Sequence, residues 1–242
     1  MAGNCMNIFG PYYLISALPI LKFEPELVIS FKKLWDLLLH EDKNLQELAG
    51  AVLLRKDLIN LEKIYHGEVP LNEGRYSNKE LALILQKPSL AKEYFPAKVS
   101  DYLEENIDNI KDAEAFWRKY YSHIWRMAKK HQSNLKKYLH WEFRLNTALY
   151  EYRIEMLNKQ ETMSRVSEYD YKLIERYKSI EDPLEAEKTL DQMRWRRIAR
   201  IAEPYSFHRD EIVVYALHLI IVDRWWNISQ TKGNLFAKVT ND

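Results

Sequence analysis

The chain has 242 residues, of which 47% are hydrophobic and 29% are charged. These proportions are typical of a folded globular protein and exclude a largely disordered or membrane-spanning chain. The formal net charge is +1, so the chain has no overall field that would attract nucleic acid or anionic lipid.

A single cysteine, Cys5, limits the chemistry that the sequence can support. It excludes an intramolecular disulfide and any site built from several cysteines. The apolar segment 8–21 contains two prolines and lacks the basic start of a secretory leader. The longest apolar run, residues 212–222, is about half the length that a membrane span needs. We therefore expect a cytoplasmic protein that does not cross the membrane.

Helix is the predominant structure that the sequence predicts. Residues 97–182 contain neither glycine nor proline, which commonly end regular elements and form tight loops. A run of this length without either residue favours helix and excludes most loop-based catalytic machinery. The predicted fold class is all-α: an elongated multi-helix bundle with at most a short N-terminal strand. An arrangement in two or three related helical lobes is one option.

The first part of the chain predicts an N-terminal helical lobe. Residues 12–15 fit either a short strand or a helical turn, because periodicity cannot decide so short a run. A helical pattern then covers residues 29–66, with a break at residues 42–44. Residues 69–76 predict a loop.

A capping box opens the next predicted helix. The Ser77 hydroxyl and the Glu80 carboxylate would each bind a free backbone N–H at the helix start. Residues 88–96 form a predicted exposed connection after this helix. We place the domain boundary there, between the N-terminal lobe (1–96) and a long-helix region with a C-terminal helical lobe (97–242). One continuous domain is the alternative.

The C-terminal part predicts several further helices. Apolar residues at spacings of three or four form one long face over 116–156, on a single helix or on two abutting helices. Asp182 is a predicted N-cap followed by proline, and its helix runs to about Ile201. The last predicted helix begins near Asp210, where negative charge suits a helix start, and Gly233 is placed to end it.

The sequence contains no motif for a catalytic or cofactor-binding site. Phosphate loops, dinucleotide fingerprints and hydrolase elbows lack their usual signatures. His208 and Glu211 have the three-residue spacing of carboxylate-bridged metal sites, but matching motifs on other helices are missing, so a capping or surface role is favoured. We predict no catalytic residues, no metal site, no cofactor and no enzymatic function.

A short basic cluster suggests an alternative function. Residues 194–200 include four arginines around Trp195, and arginine beside an aromatic ring can bind phosphates and stack on bases. On a helix, however, these positions spread around the circumference, and Asp191 lies within pairing reach of Arg194. Ion pairing on the helix surface is therefore favoured over nucleic-acid binding.

An acid followed by an asparagine recurs in three segments. The spacing is four residues in 139–146 and in 220–227, and three residues in 57–61. Such residues share a helix face and can hydrogen-bond to each other or to a neighbouring helix end. We predict that they stabilise the lobes, and we add three candidates for packing or partner contact. The pairs are Asp57 with Asn60, Glu142 with Asn146, and Asp223 with Asn227; the other candidates are Trp225, Trp226 and Arg224.

Four segments carry a resemblance to a known family. They are GPYYLISALPIL at 10–21, DPLEAE at 182–187, FHRDEIVVYAL at 207–217 and IVDRWWN at 221–227. Together they resemble an uncharacterised bacterial family found alongside V/A-type ATPases. That family in turn resembles the C-type subunit of these rotary motors (d-type in eukaryotes). The DLINL segment at 57–61 also resembles the acid-x-x-Asn-Leu motif in the helical repeats of the C-type subunit.

The resemblance implies a non-catalytic, all-helical adaptor in ion or proton transport. In the family of the C-type subunit this adaptor connects the central rotor stalk to the membrane ring of proteolipid subunits. The implied partners are these subunits and not nucleic acid, and the implied location is cytoplasmic, at the inner membrane only through the complex. One alternative is a helical scaffold, or a regulatory or assembly protein, that binds another complex. A less favoured alternative is a nucleic-acid-binding protein.

Overall fold

The computed structural model describes residues 11–106, 113–158, 175 and 177–239. All regular structure in these ranges is helical, as the sequence predicts. Cys5 and the side chain of Met156 lie outside the described part. The helices are α1 (Tyr12–Ala17), α2 (Phe31–Leu38), α3 (Lys43–Tyr65), α4 (Asn78–Gln86), α5 (Ala91–Tyr94), α6 (Ala97–Asn106), α7 (Ala113–Lys130), α8 (Leu135–Asn158), α9 (Pro183–Ile198) and α10 (Arg209–Val239).

Helix α3 lies at the centre of the fold. It packs against α2, α4, α7 and α10, and 13 of its 23 residues are buried. Its apolar residues occur on every side of the helix, which is typical of a helix enclosed by others. The outer helices continue the packing, since α6 contacts α5 and α7, and α8 contacts α7 and α9. Helix α9 also packs against α10, so α3, α8, α9 and α10 lie close together.

Helix starts follow the caps that the sequence predicts. Ser77 Oγ accepts a hydrogen bond from the Glu80 N–H at 3.2 Å, and the Glu80 carboxylate accepts one from the Ser77 N–H at 2.7 Å. Asp182 Oδ1 accepts the Leu184 N–H at 2.9 Å at the start of α9. Asp42 caps α3 through two backbone N–H groups, which confirms the predicted break between α2 and α3.

The long apolar face predicted over residues 116–156 lies on two helices, α7 and α8, the second of the two predicted options. The turn between them, residues 131–134, contains Gln132 in the left-handed region at φ 55°. Ser133 Oγ in this turn donates to the Asp210 carboxylate, which also accepts the Asn134 N–H at 3.1 Å. The predicted acid at the start of the last helix therefore also holds the turn between α7 and α8.

Some local predictions differ from the structure. Residues 12–15 lie in a helix, the second of the two predicted options. The predicted exposed connection at 88–96 is wrong, because it forms a 3-10 turn and α5, with Ala91 and Phe95 buried. The hydrophobic core includes residues on both sides of this stretch. Helix α10 continues through Gly233, because one glycine costs a helix interior only about 1 kcal/mol relative to alanine.

The longest apolar run, residues 212–222, lies in α10. Its Ile212, Val213 and Leu219 are fully buried and belong to the hydrophobic core. None of the helices in the described ranges combines the length and the apolar character that crossing a bilayer requires. The run is therefore part of the core, as its length predicts.

Candidate functional site

A network of buried ion pairs joins α3, α8, α9 and α10. Lys56 Nζ on α3 donates to Asp223 Oδ2 on α10 at 2.7 Å. Arg194 Nε on α9 donates to Glu142 Oε1 on α8 at 3.0 Å. Arg194 Nη1 also donates to Asp191 Oδ1 within α9 at 2.9 Å. Charged side chains therefore hold together segments that are far apart in the sequence.

The predicted pair Glu142 and Asn146 lies within this network. Asn146 Nδ2 donates to Glu142 Oε1 at 3.3 Å, and Asn146 Oδ1 accepts from Arg194 Nη2 at 3.3 Å. Burial and the charge of Glu142 raise the pKa of Tyr138, whose hydroxyl donates to Glu142 Oε2 at 3.3 Å. Burial acts to lower the pKa of Arg194, but Glu142 and Asp191 raise it overall. Both Tyr138 and Arg194 therefore keep their protons at neutral pH.

The predicted pair Asp223 and Asn227 lies on α10, on the other side of the same network. Asn227 Nδ2 donates to Asp223 Oδ2 at 3.1 Å. Asn72 Nδ2, from the loop before α4, donates to Asp223 Oδ1 at 2.8 Å. With Lys56, these donors give the buried carboxylate three hydrogen bonds, which offset the cost of removing it from water.

The third predicted pair, Asp57 and Asn60, holds a loop against α3. Asp57 Oδ1 accepts the Arg75 N–H at 2.7 Å, and Asp57 Oδ2 accepts the Arg75 Nε–H at 2.6 Å. Asn60 Nδ2 donates to the Asn72 carbonyl at 2.8 Å. In the part of the chain that the structure describes, the two side chains bind the loop at residues 69–76 rather than each other.

The three further candidates on α10 differ in their surroundings. Arg224 donates to Asp191 Oδ2 and to Glu187 Oε2, both at 2.8 Å. Trp225 Nε1 donates to the same Asp191 oxygen at 3.1 Å, and its ring packs against the hydrophobic core. Trp226 is half-buried. Arg224 and Trp225 thus connect α10 to α9.

His208 and Glu211 stabilise the turn before α10 through hydrogen bonds. The Glu211 carboxylate accepts hydrogen bonds from the Ser206 hydroxyl and the Phe207 N–H. His208 Nδ1 accepts the Asp210 N–H at 3.3 Å. Within the described ranges, no three histidine, cysteine, aspartate or glutamate side chains come together so as to hold a metal ion. These contacts match the capping interpretation of the spacing.

The basic cluster at residues 194–200 is divided among different environments. Arg194 belongs to the ion-pair network, and the Arg197 guanidinium lies 5.8 Å from the centre of the Trp141 ring. Arg196 and Arg200 are exposed. The arginines therefore do not form one continuous basic stripe.

An open groove of about 910 Å³ lies between α7 and α8. Aromatic side chains provide much of its exposed surface: Tyr121 is 39% exposed, Trp125 43%, Phe143 71% and Tyr150 65%. Tyr121 and Trp125 are one turn apart on α7, whereas Phe143 and Tyr150 are two turns apart on α8. Two apolar stripes thus line the groove, and we call the surface formed by these four side chains the aromatic groove.

The two helices that form the aromatic groove are basic. Residues 113–158, which span both helices, contain nine lysines and arginines and four glutamates, which is a net charge of +5. One of these glutamates, Glu142, is buried and paired with Arg194. The exposed charge on these helices is therefore predominantly positive.

Sequence reasoning missed the aromatic groove. It placed a set of apolar residues, Phe116 and Tyr120 among them, on one helix face, and the structure buries both of these residues. A second stripe follows one position later, where Trp117, Tyr121 and Trp125 repeat every four residues. Two adjacent aromatic stripes are wider than one buried face requires, and this excess is the signal that could have found the groove.

Comparisons with known proteins give little further information. A family model described as "Protein of unknown function (DUF2764)" matches residues 166–242. This match includes α9 and α10 and covers less than half of the chain. No curated protein and no solved structure matches the chain.

Proposed function

We propose that this chain is a non-catalytic component of a bacterial V/A-type ATPase that resembles its C-type subunit. In this role it connects the central rotor stalk to the membrane ring of proteolipid subunits and acts through protein contacts. The assignment to the ATPase rests on the sequence resemblance of segments 10–21, 182–187, 207–217 and 221–227. The contact function rests on the surface of α7 and α8.

The aromatic groove is the observation that carries the contact function. Soluble proteins rarely expose large contiguous apolar patches, and such patches commonly mark interaction sites. Trp125, Phe143 and Tyr150 are of the residue types that supply much of the binding energy at protein interfaces. Phe143 is 71% exposed, so a partner that covered its ring would bury a large apolar area.

The charge of α7 and α8 defines the chemistry of the partner. A net charge of +5 over residues 113–158 favours an acidic partner. The groove runs between two helices, a shape that suits an amphipathic helix laid along it. We therefore expect the partner segment to be a helix with apolar residues on one face and aspartate or glutamate on its flanks.

The packing of the long helices suits a part that transmits force. Helices α3, α8 and α10 contain 23, 24 and 31 residues, so α10 is about 45 Å long at 1.5 Å per residue. The Lys56–Asp223 ion pair joins α3 to α10, and the Arg194–Glu142 pair joins α8 to α9. Breaking such a buried pair is costly, which favours movement of the four helices as one body.

The alternatives differ in what they require of the same surfaces. A scaffold or assembly protein would use the aromatic groove but would associate with the complex only in part or only transiently. Nucleic-acid binding is less favoured, because Arg194, the first arginine of the basic cluster, is engaged by Glu142 and Asp191.

Quantitative co-purification tests the proposal. The tagged protein is purified from gently solubilised native membranes, and the accompanying proteins are identified and counted. Stoichiometric recovery with the stalk and proteolipid subunits is the expected result. Substoichiometric recovery would favour an assembly factor, whereas recovery of the chain alone from both membranes and soluble extract would overturn the proposal.

A further inference from the structure

A second cavity, of about 650 Å³, lies between α3, α8, α9 and α10. It adjoins the aromatic groove, since Glu142, Asn146 and Tyr150 line both, but most of its charged lining side chains belong to the ion-pair network. Its volume is within the range of small-molecule binding sites in proteins. The cavity therefore has room for a ligand as well as polar groups that could orient one.

The charges that line this cavity are not balanced. Five cations face four carboxylates. Lys56, Arg194 and Arg224 together pair with all four carboxylates. Arg55 and Lys63 remain, and neither side chain forms a hydrogen bond or ion pair with any residue in the described ranges. The lining therefore carries a net charge of +1, and its two cations without a direct partner are Arg55 and Lys63.

Arg55 is the more unusual of these two cations. Its Nε–H is buried and has no hydrogen-bond partner among the described residues. Glu142, the acid whose charge acts on Arg55, already accepts hydrogen bonds from Arg194, Asn146 and Tyr138. A guanidinium stays protonated in proteins and presents five N–H donors in a planar fork. Such a fork binds carboxylate or phosphate oxygens in a bidentate manner.

The same cavity contains an acceptor that lacks a donor. Asn227 Oδ1 is buried and has no partner among the described residues, while Asn227 Nδ2 is used by Asp223 at 3.1 Å. Buried polar atoms are almost always satisfied by protein, by water or by a ligand. An occupant of this cavity would therefore gain from carrying both an oxyanion and a hydrogen-bond donor.

We propose that this cavity binds a small organic oxyanion that carries hydroxyl groups. The Arg55 guanidinium holds the oxyanion, Lys63 adds positive charge at the cavity wall, and a ligand hydroxyl donates to Asn227 Oδ1. Sugar phosphates and hydroxycarboxylates share this chemistry. The site does not depend on the proposed role in the ATPase, because Arg55, Lys63 and Asn227 line this cavity and do not line the aromatic groove.

Ligand-dependent thermal unfolding and calorimetry test this site on the full chain. The probes are glucose 6-phosphate, gluconate and inorganic phosphate, so that the phosphate and carboxylate sources of the oxyanion are compared. The variant Arg55→Met removes the cation, and Lys129→Gln is the matched control, since Lys129 is exposed and does not line the cavity. Arg55 is partly buried and no described carboxylate pairs with it, so Arg55→Met leaves no buried charge without its partner, and loss of binding is separable from loss of folding.

We expect at least one hydroxylated probe to bind the natural chain and the Lys129→Gln control equally. Arg55→Met should raise the dissociation constant of that probe at least about tenfold, because loss of a hydrogen bond to a charged group has an effect of this size. Asn227→Ala should weaken the binding of the hydroxylated probe more than the binding of inorganic phosphate. If none of the probes binds at millimolar concentration, or if Arg55→Met binds as tightly as the natural chain, the inference is wrong.

Discussion

Lys56 Nζ and Asp223 Oδ2 lie 2.7 Å apart, although 167 positions separate the two residues in the chain. Their side chains are 5% and 7% exposed. The pair is a direct charged link between the central helix α3 and the last helix, α10. A buried ion pair stabilises a fold weakly as a whole, but removal of one partner leaves the other charge buried without compensation.

The Lys56–Asp223 pair predicts an asymmetry between single and double variants. Lys56→Met should lower the free energy of unfolding by about 3 kcal/mol, because Asp223 keeps only its two asparagine donors. In Lys56→Met/Asp223→Leu the buried charge is gone, so the loss should be smaller than the sum of the two single losses by about 1 kcal/mol or more. Urea unfolding at pH 7 measures the free energy of unfolding of the natural chain, of the single variants Lys56→Met and Asp223→Leu, and of the double variant. Strictly additive losses would contradict a direct interaction.

The two acid–asparagine pairs on α8 and α10 should contribute unequally. Asn227 is half-buried and donates to Asp223 at 3.1 Å, whereas Asn146 is exposed and its two hydrogen bonds are 3.3 Å long. Asn227→Ala should cost about 1 kcal/mol and Asn146→Ala about 0.5 kcal/mol or less. The two losses are compared through the urea midpoints of the variants, provided that the slope of the free energy of unfolding against urea concentration is unchanged. Equal losses, or a larger loss for Asn146→Ala, would show that burial does not decide the difference.

Gly74 should be intolerant of a side chain because the loop approaches α3 closely there. A Cβ atom at this position would lie 2.1 Å from Asp57 Oδ1 and 3.2 Å from the Asp57 backbone nitrogen. The Asp57 carboxylate cannot move freely, since Arg75 binds both of its oxygens. Gly74→Ala should therefore cost about 2–3 kcal/mol.

Gly67 offers a matched control for this substitution. It has a φ of +78°, but a Cβ atom added there would meet nothing within 4 Å. Gly67→Ala should therefore cost only the backbone strain of about 1 kcal/mol. Thermal and urea unfolding of both variants separate the two causes. If Gly67→Ala proves as damaging as Gly74→Ala, the close approach at Gly74 is not the constraint.

Acid should destabilise the fold through His218. Its ring stacks on Trp195 with 3.7 Å between ring centres, and its Nε2 lies 3.0 Å from the Trp195 carbonyl. Burial lowers the pKa of His218 from 6.5 to about 4. The unfolded chain therefore binds a proton more readily than the folded chain between these values, and stability falls as the pH drops from about 6.5 towards 4. The loss from this one residue is about 2 kcal/mol at pH 5.

The variant His218→Gln isolates that contribution. Glutamine retains an N–H donor for the Trp195 carbonyl but does not titrate. Its free energy of unfolding should be lower than that of the natural chain at pH 7.5, and the difference should shrink at pH 5. Urea unfolding across this range measures both curves, and parallel curves would exclude His218 as the source of the acid sensitivity.

Local chemistry made the helix starts of this fold predictable. The Ser77–Glu80 box and the Asp182–Pro183 start act through hydrogen bonds within three residues, so the chain itself specifies them. Gly233 shows the limit of such rules, because a residue that often ends helices is carried within a 31-residue one. One glycine costs a helix interior only about 1 kcal/mol relative to alanine, and a helix that has already formed extends at little further cost.

The candidate sites depend on packing that local patterns do not encode. The acid–asparagine spacing placed Glu142 with Asn146, and Asp223 with Asn227, each on one helix face. It could not indicate that Arg194 would reach Glu142, because helix periodicity contains no information about which helices become neighbours. No sequence pattern marked Arg55 as a candidate for ligand binding. It became one only because its buried Nε–H lacks a partner among the described residues.

The central claim is that the aromatic groove contacts another part of the ATPase, and a paired co-purification tests it most directly. The variant Trp125→Ser/Phe143→Ser removes one ring from each side of the groove. Its control, Val69→Ser, removes an apolar side chain that is 83% exposed elsewhere on the surface. Circular dichroism and urea unfolding establish that both variants remain folded.

The natural chain and Val69→Ser should recover the stalk and proteolipid subunits in equal, stoichiometric amounts. The groove variant should recover at least about tenfold less of them, because aromatic anchors dominate the energy of such interfaces. Equal recovery by the groove variant would contradict the claim that this groove is the contact surface. Recovery of no ATPase subunits by any of the three proteins would contradict the proposed function as a whole.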